Sequence, residues 1–414
     1  MSSEVFSLFK SSAYRLLWLG HTYPYRRKSK SFGIDPNLTY WIDPVRITLS
    51  VDSQGIERLA GEMPPPSPIM ERGRIIGGDW DLQAKTFEDM DVWQAFKHRF
   101  IEGGQWSETP FYARIIRTVN GGIPVWRCKS QEEFDSRLKR IDELFEDIKK
   151  NGYRTQTEIK DTVSTFNDED EVNVHIGRYG DYIFANGRHR LCIAKILHLP
   201  EIPVKVARRH TQWTSFRAEI LAYARKGGKL YAPILHPDIS DIPSVHGHER
   251  MEIIKRHLPE KPGRMLDIGA HWGYFCHCFE DLGYQCIAVE NSSLDLRFME
   301  KLRRAENKHF EIFAGSIFNV DLSASFDVVL ALNIFHHFLK KETLYNELIK
   351  FLHSLDAQVM FFETHKPDEP QMKNSYANYS PEEFVQFVCD HGRFRSAENI
   401  ATTPDGRSLF KLSR

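Results

Sequence analysis

Asp267, Gly269, Gly273 and Glu290 have the types and spacing of a turn that could cradle a nucleoside. Met265-Leu266-Asp267-Ile268 is a short apolar run of the kind a buried parallel strand needs. Gly269 and Gly273 flank Ala270-His271-Trp272, where backbone must turn tightly and approach a ligand closely. Residues 274–282 have helical spacing and Gly283 ends them, so the turn opens a helix N-terminus. Residues 286–289 form a second apolar strand, and Glu290 closes it where a carboxylate can accept both hydroxyls of a ribose. Residues 326–333 read as a further buried strand, followed by Ile334-Phe335-His336-His337-Phe338. Ligands of such sheets bind outside the carboxyl ends of the strands, which would gather Asn333, His336, His337, Glu363 and His365. Imidazole titrates near neutrality and suits taking a proton from a hydroxyl. His337 and His365 are therefore the candidate bases, with Asn333 beside them.

Together these residues resemble the cofactor site of class I S-adenosylmethionine methyltransferases. The match is to a loose form of the D-x-G-x-G-x-G motif, because His271 stands where the middle glycine would be. A nicotinamide site could look similar at the glycine turn. The Leu-Asp-Ile-Gly order and the motif-IV-like strand at residues 326–333 favour the sulfonium cofactor. The resemblance implies cofactor contacts at Asp267, Gly269, His271, Gly273, Glu290 and Asn333. Ser316 and the Ile317 backbone follow the third strand where the family often places an acid against adenine, and they are the provisional adenine contacts. Asn333-Ile334-Phe335-His336 lacks the D/N-P-P-Y/F tetrapeptide of enzymes that methylate DNA bases, which argues against that substrate. No divalent-metal constellation stands near these residues, so no metal is expected.

A second group of residues lies upstream. Residues 172–176 alternate as a strand, residues 182–185 form another, and Asn186-Gly187-Arg188-His189-Arg190 opens a helix over 191–199 that leads to a third strand at 202–206. The glycine lets backbone N–H groups face a phosphate, the helix dipole favours the anion, and Arg190 can bind it bidentately. Over residues 132–210 this order resembles the ParB N-terminal-like / sulfiredoxin-like superfamily, with its G-x-x-R turn. The resemblance implies a nucleotide-phosphate site at Gly187, Arg188, His189 and Arg190, taking ATP or CTP with Mg2+. Arg188 holds the place of the sulfiredoxin cysteine, which argues against sulfinic acid repair. No helix-turn-helix follows, which argues against chromosome partition. Some relatives are small-molecule kinases with a glutamate base, and the run Asp168-Glu169-Asp170-Glu171 could supply one. A solvated loop is the commoner explanation of such a run.

The expected architecture is α/β, a Rossmann-like seven-stranded methyltransferase sheet preceded by a smaller α+β ParB-like domain. The chain of 414 residues suits two or three domains. Residues 1–36 form an amphipathic and basic segment, 37–220 the ParB-like domain with its extension, 221–250 a proline-interrupted linker, and 251–414 the methyltransferase. Residues 5–19 with the basic cluster at 26–30 could lie on an anionic bilayer or dock on the protein body. Gly77-Gly78-Asp79-Trp80-Asp81 could hold a metal or a hydroxyl, or be an exposed corner. The close pair Cys276 and Cys278 falls on an amphipathic helix and reads as core. The net charge of -1 argues against broad polyanion binding. Dispersed cysteines and the lack of a secretory pattern point to the cytoplasm, with peripheral contact on the inner membrane face as an option. The leading reading is an O-methyltransferase of a small molecule or glycan, joined to a nucleotide-binding domain that could be a kinase. Such a pairing would suit a methyl or methyl-phosphate cap on a cell-surface polysaccharide. A nucleotide-regulated methyltransferase and an RNA methyltransferase with stacking tryptophans (Trp41, Trp80, Trp106, Trp126, Trp213) are the alternatives.

Overall fold

The computed structural model describes residues 23–51, 72–126, 128–155, 158, 171–321 and 323–414. The helix expected at 5–19, the proline run from Pro64 to Pro68, and Asp168, Glu169 and Asp170 lie outside them. The chain divides into two compact units, residues 1–222 and 223–414.

In the first unit the strands are β1 (Thr39–Ile42), β2 (Leu49–Ser50), β3 (Arg74–Ile76), β4 (Lys85–Thr86), β5 (Val172–Ile176), β6 (Tyr182–Asn186) and β7 (Ile202–His210). They form one mixed sheet in the order β1-β7-β5-β6-β2-β4, with β3 also on β7. β5 and β6 pair as an antiparallel hairpin, and β5 lies parallel to β7. Every residue of β5 and β7 is buried, the polar and charged Asn173, His175, Lys205, Arg208, Arg209 and His210 among them. Helix Gln131–Asn151 begins at Ser130, whose Oγ accepts from Glu133 N at 3.3 Å. Glu133 returns to Lys129 N at 2.6 Å, one residue before the expected partner. Residues 111–119, whose pattern suits helix or strand, lie in the helix Pro110–Asn120. Of the basic N-terminal segment, residues 23–31 are helical. They dock on this unit, with Ser29 fully buried and its Oγ donating to Gly73 O at 2.7 Å.

The second unit holds β8 (Arg264–Ile268), β9 (Gln285–Glu290), β10 (Glu311–Ala314), β11 (Phe326–Leu332), β12 (Ala357–Glu363), β13 (Ser396–Thr402) and β14 (Ser408–Ser413). Their order is β10-β9-β8-β11-β12-β14-β13, parallel from β10 to β12 and closed by an antiparallel hairpin. This is the expected Rossmann-like seven-stranded sheet. Its order reverses between β8 and β11, so their carboxyl ends open a crevice side by side. Helices Glu342–Ser354 and Pro381–His391 cover one face, where Leu348, Phe351, Phe384 and Val388 pack on Val329, Met360 and Phe362. Burying each such side chain is worth about 1.5–3 kcal/mol. A full capping box, Ser380 with Glu383, starts the second helix behind Pro381.

Residues 223–250 are not a free linker. They belong to the second unit, and Leu230, Ile234, Ile239 and Ile242 are buried in it. Prolines forbid a continuous helix here but not a packed strap. Leu230 N donates to Pro243 O at 2.9 Å, and Trp272 Nε1 donates to Pro233 O at 3.2 Å. No helix among the described residues is long and apolar enough to cross a membrane.

Candidate active site

Gly269, at the end of β8, takes φ +73°, and a Cβ there would lie 2.9 Å from Ile334 Cδ1. Gly273 takes φ +81° at the N-terminus of helix Tyr274–Asp281, pressed by Phe310 and Met299. His271 takes φ +56°, the left-handed conformation of the glycine it replaces. That conformation costs a side-chain-bearing residue roughly 1–2 kcal/mol. Packing holds it. The ring lies 5.2 Å from Tyr231 and edge-on to Trp272 at 3.8 Å, and Nε2 stands 3.6 Å from Asp295 Oδ1. Burial drives the His271 imidazole down to about 4, so it is neutral at pH 7.

Glu290 pins the same loop. Its Oε2 accepts from His271 N at 2.9 Å, and its Oε1 accepts from Asn291 N and Ser292 N at 2.8 Å each. Asp267 is buried, and burial together with the Glu290 charge raises its carboxyl to about 7.

A cavity of about 490 Å³ opens over this crevice. Of the residues expected as cofactor contacts, Gly269, His271, Glu290, Ser316, Ile317 and Asn333 line it. Asp267 and Gly273 do not line it, and serve instead beneath and behind the turn as a buried acid and a helix start. Ser316, expected as a provisional adenine contact, accepts at Oγ from Phe318 N at 3.3 Å, which fixes its turn. His271 Nδ1, Asp295 Oδ1 and Asn333 Oδ1 are buried without hydrogen-bond partners, although all three residues border the cavity. Polar side chains at His271, Glu290, Asp295, Ser316 and Asn333 around a glycine cradle fit a polar, nucleoside-like cofactor.

Of the candidate bases, His337 reaches the cavity and His365 does not. His365 Nε2 bonds Asn378 Oδ1 at 2.9 Å, and its ring lies 5.7 Å from that of the buried His336. Glu363 is also withdrawn, in a buried ion pair with Arg250 at 2.8 Å. His337 stands at the cavity mouth, with Lys340 Nζ donating to its Nδ1 at 3.1 Å. Partial burial, Lys340 and Arg407 lower its pKa.

Sequence reasoning missed Tyr231 and Asp295, which also line the cavity. Tyr231 sits in the strap, its hydroxyl accepting from Asn333 Nδ2 at 3.4 Å. The turn at His246-Gly247-His248 separates its two imidazoles. His246 is buried against Tyr231 at 4.8 Å, and His248 Nδ1 meets Tyr274 OH at 2.8 Å.

In the first unit, Gly187 takes φ +88° and a Cβ would lie 2.8 Å from Val172 Cα, so this turn requires glycine. His189 does not face an open loop. It stacks on Phe96 and meets Trp126 edge-on, and burial lowers its imidazole to about 3. Arg188 lies over Trp126 at 5.4 Å. Arg190 lies over Tyr153 at 5.3 Å and donates to Arg154 O at 3.3 Å. The acids of the Gly77–Asp81 turn are taken by Arg178, at 2.7 Å from Asp79 and 2.8 Å from Asp81, which leaves no metal cradle. Trp80, Trp106 and Trp213 are buried, so of the five tryptophans considered for base stacking only Trp41 is broadly exposed.

Residues 266–354 match the family model described as a methyltransferase domain. The second unit thus carries a methyltransferase domain, whose cofactor is S-adenosylmethionine. No curated protein matches the sequence. Among solved structures, the chain is similar to monomeric WbdD at 18% identity, TM-score 0.38, over 45% of this chain and 46% of that one. Another WbdD structure with the same identity and TM-score is described as a bifunctional kinase-methyltransferase. A putative O-methyltransferase from Nostoc punctiforme PCC 73102 aligns at 17% identity and TM-score 0.33, over 40% of this chain and 55% of that one. A Pyrococcus horikoshii OT3 protein aligns at 15% identity and TM-score 0.33, over 40% of this chain and 90% of its own. The alignment spans less than half the length of the WbdD chain.

Proposed function

We propose that the protein is an S-adenosylmethionine-dependent O-methyltransferase of a small molecule or glycan. One observation carries this reading: Asn333 and His337 share a single cavity with Glu290 and the Gly269 turn. The cofactor, when bound, supplies a methyl group on a positively charged sulfur. Glu290 and the Ser316 turn would hold its nucleoside, and the left-handed turn at His271 keeps the loop in place to receive it. The chain's main work is then alignment, with the acceptor oxygen held in line and about 3 Å from the methyl carbon. His337 is the group placed to take the acceptor's proton. While Lys340 occupies Nδ1, the neutral ring carries its proton on Nε2, so accepting another requires that contact to open. Calorimetric titration with S-adenosylhomocysteine tests the cofactor site, and no binding sinks the reading.

We further propose a ParB-like nucleotide-phosphate site around Gly187, Arg188 and Arg190. One observation favours a regulatory role over a kinase. Glu171, the described member of the acidic run, is buried and accepts from Tyr153 OH at 3.5 Å, rather than standing open as a base. Titration of Mg-ATP and Mg-CTP into wild type and Arg190→Ala decides. Arg190-dependent binding with phosphate transfer to an acceptor makes it a kinase, and binding without turnover makes it a switch. No binding removes the site.

A further inference from the structure

Helices Glu342–Ser354 and Pro381–His391 each carry a histidine in the last turn, His353 and His391. The first helix runs into the start of β12, so this corner lies at the amino end of that strand, away from the crevice at the carboxyl ends. His391 Nδ1 stands 3.3 Å from His353 Nε2, and the ring centres are 5.3 Å apart. An N–H donor at its best sits about 2.9–3.0 Å from its acceptor, so the nitrogens are spread too wide for a good hydrogen bond. A straight N–H···N contact at this separation would also put the ring centres about 5.6 Å apart. Both distances fit a shared ion instead. Two imidazoles bound at about 2.0–2.1 Å and a tetrahedral angle hold their nitrogens about 3.3–3.4 Å apart and their ring centres about 5.2 Å apart.

The surroundings suit a cation. The last carbonyls of both helices bring partial negative charge to this corner. Phe387 meets the His391 ring edge-on at 4.7 Å and holds its orientation. His353 is exposed and His391 partly so, which gives an ion access from solvent. We infer that His353 and His391 form a site for a late first-row divalent cation, of the zinc and copper class that imidazole suits. No group of three or more His, Cys, Asp or Glu able to hold a metal occurs among the described residues, so the ion takes two protein nitrogens and completes its shell with water. Neutral imidazole is the ligand form. The ring whose proton lies between the nitrogens carries it on its far nitrogen once the ion is bound, so no net proton leaves. The ion staples the ends of the two covering helices, and its effect falls on stability rather than on methyl transfer.

The test uses Zn2+ alone as the probe, with the full chain, above the imidazole pKa. Calorimetry of wild-type protein should show an equivalent of Zn2+ bound. The ring signals of His353 and His391 should shift together in NMR, and the thermal midpoint should rise with Zn2+. His353→Gln and His391→Gln should each lose that equivalent and the rise in midpoint, and the double variant should lose nothing more. Circular dichroism shows that the variants fold. Folded single variants that bind Zn2+ as wild type does overturn the inference, because other groups then hold the ion. Wild-type protein whose His353 and His391 signals stay still as Zn2+ is added also overturns it, because the pair is then a hydrogen bond only.

Discussion

Replacing Glu290 by glutamine removes one charge and no volume, and the surroundings say how the site should respond. The carboxylate already accepts three backbone N–H groups, from His271 on one oxygen and from Asn291 and Ser292 on the other. A carboxylate has about four acceptor positions, so about one remains for a ribose hydroxyl and a second hydroxyl must share it. Glutamine must turn its NH2 either toward His271 N–H or toward the Asn291–Ser292 pair, and both set donor against donor. Losing one charge-assisted bond is worth about 1.5–3 kcal/mol, which raises the Kd for S-adenosylhomocysteine about 10- to 150-fold. Glutamine should be no milder than alanine, because it also disturbs the loop that His271 closes. Calorimetric titration of both variants measures this, with circular dichroism confirming that they fold. A folded Glu290→Gln protein within about threefold of wild type refutes the argument.

Lys340→Met should raise the His337 pKa, since the lysine is one of the causes that depress it, after partial burial. A base acts unprotonated, so the acid limb of activity moves to higher pH. NMR titration of the His337 ring reads the shift directly, and an unmoved ring contradicts the assignment. Gly187→Ala places a Cβ against Val172 at a left-handed position, and should lower stability by roughly 1–2 kcal/mol or more in urea denaturation; an unchanged midpoint refutes that packing. At Asp81 burial works against the charge, but the bonds from Arg178 outweigh it and hold the carboxyl below its ordinary 3.8. That stabilisation is full above the ordinary value and is lost as pH falls through the lower folded one. Arg178→Ala should cost about 1–3 kcal/mol at neutral pH and progressively less in acid, and a penalty that does not change with pH counts against it.

Most of the second unit is legible in the amino-acid sequence because its signals are local. A buried strand, a glycine turn and a helix start lie within ten residues of one another, and the spacing from Asp267 to Glu290 sets the distance between two neighbouring strands. His271 is the instructive exception. Its type breaks the glycine pattern, yet its backbone keeps the left-handed turn, because Tyr231, Trp272 and Asp295 supply the packing that glycine would not need. A pattern of residue types registers the departure at His271 but not the compensation, which comes from 40 residues upstream and 24 downstream.

The same limit explains the histidines. His337 and His365 both follow strand ends, and nothing in their spacing separates them. One residue at a strand's end turns toward the crevice and another toward the neighbouring helix, and tertiary packing decides which. His365 meets Phe384 and Asn378 of the covering layer, while His337 opens on the cavity. In the first unit the arginines of the Gly187 turn suggest anion ligands because residue type and helix position alone motivate that proposal. That His189 belongs to an aromatic core with Phe96 and Trp126 is not readable, since its partners lie more than 60 residues away. Chemistry declared by neighbours in sequence is thus open to inspection residue by residue. Chemistry assembled across the chain, as at Tyr231 and Asn333, exists only once the strap has folded over the crevice.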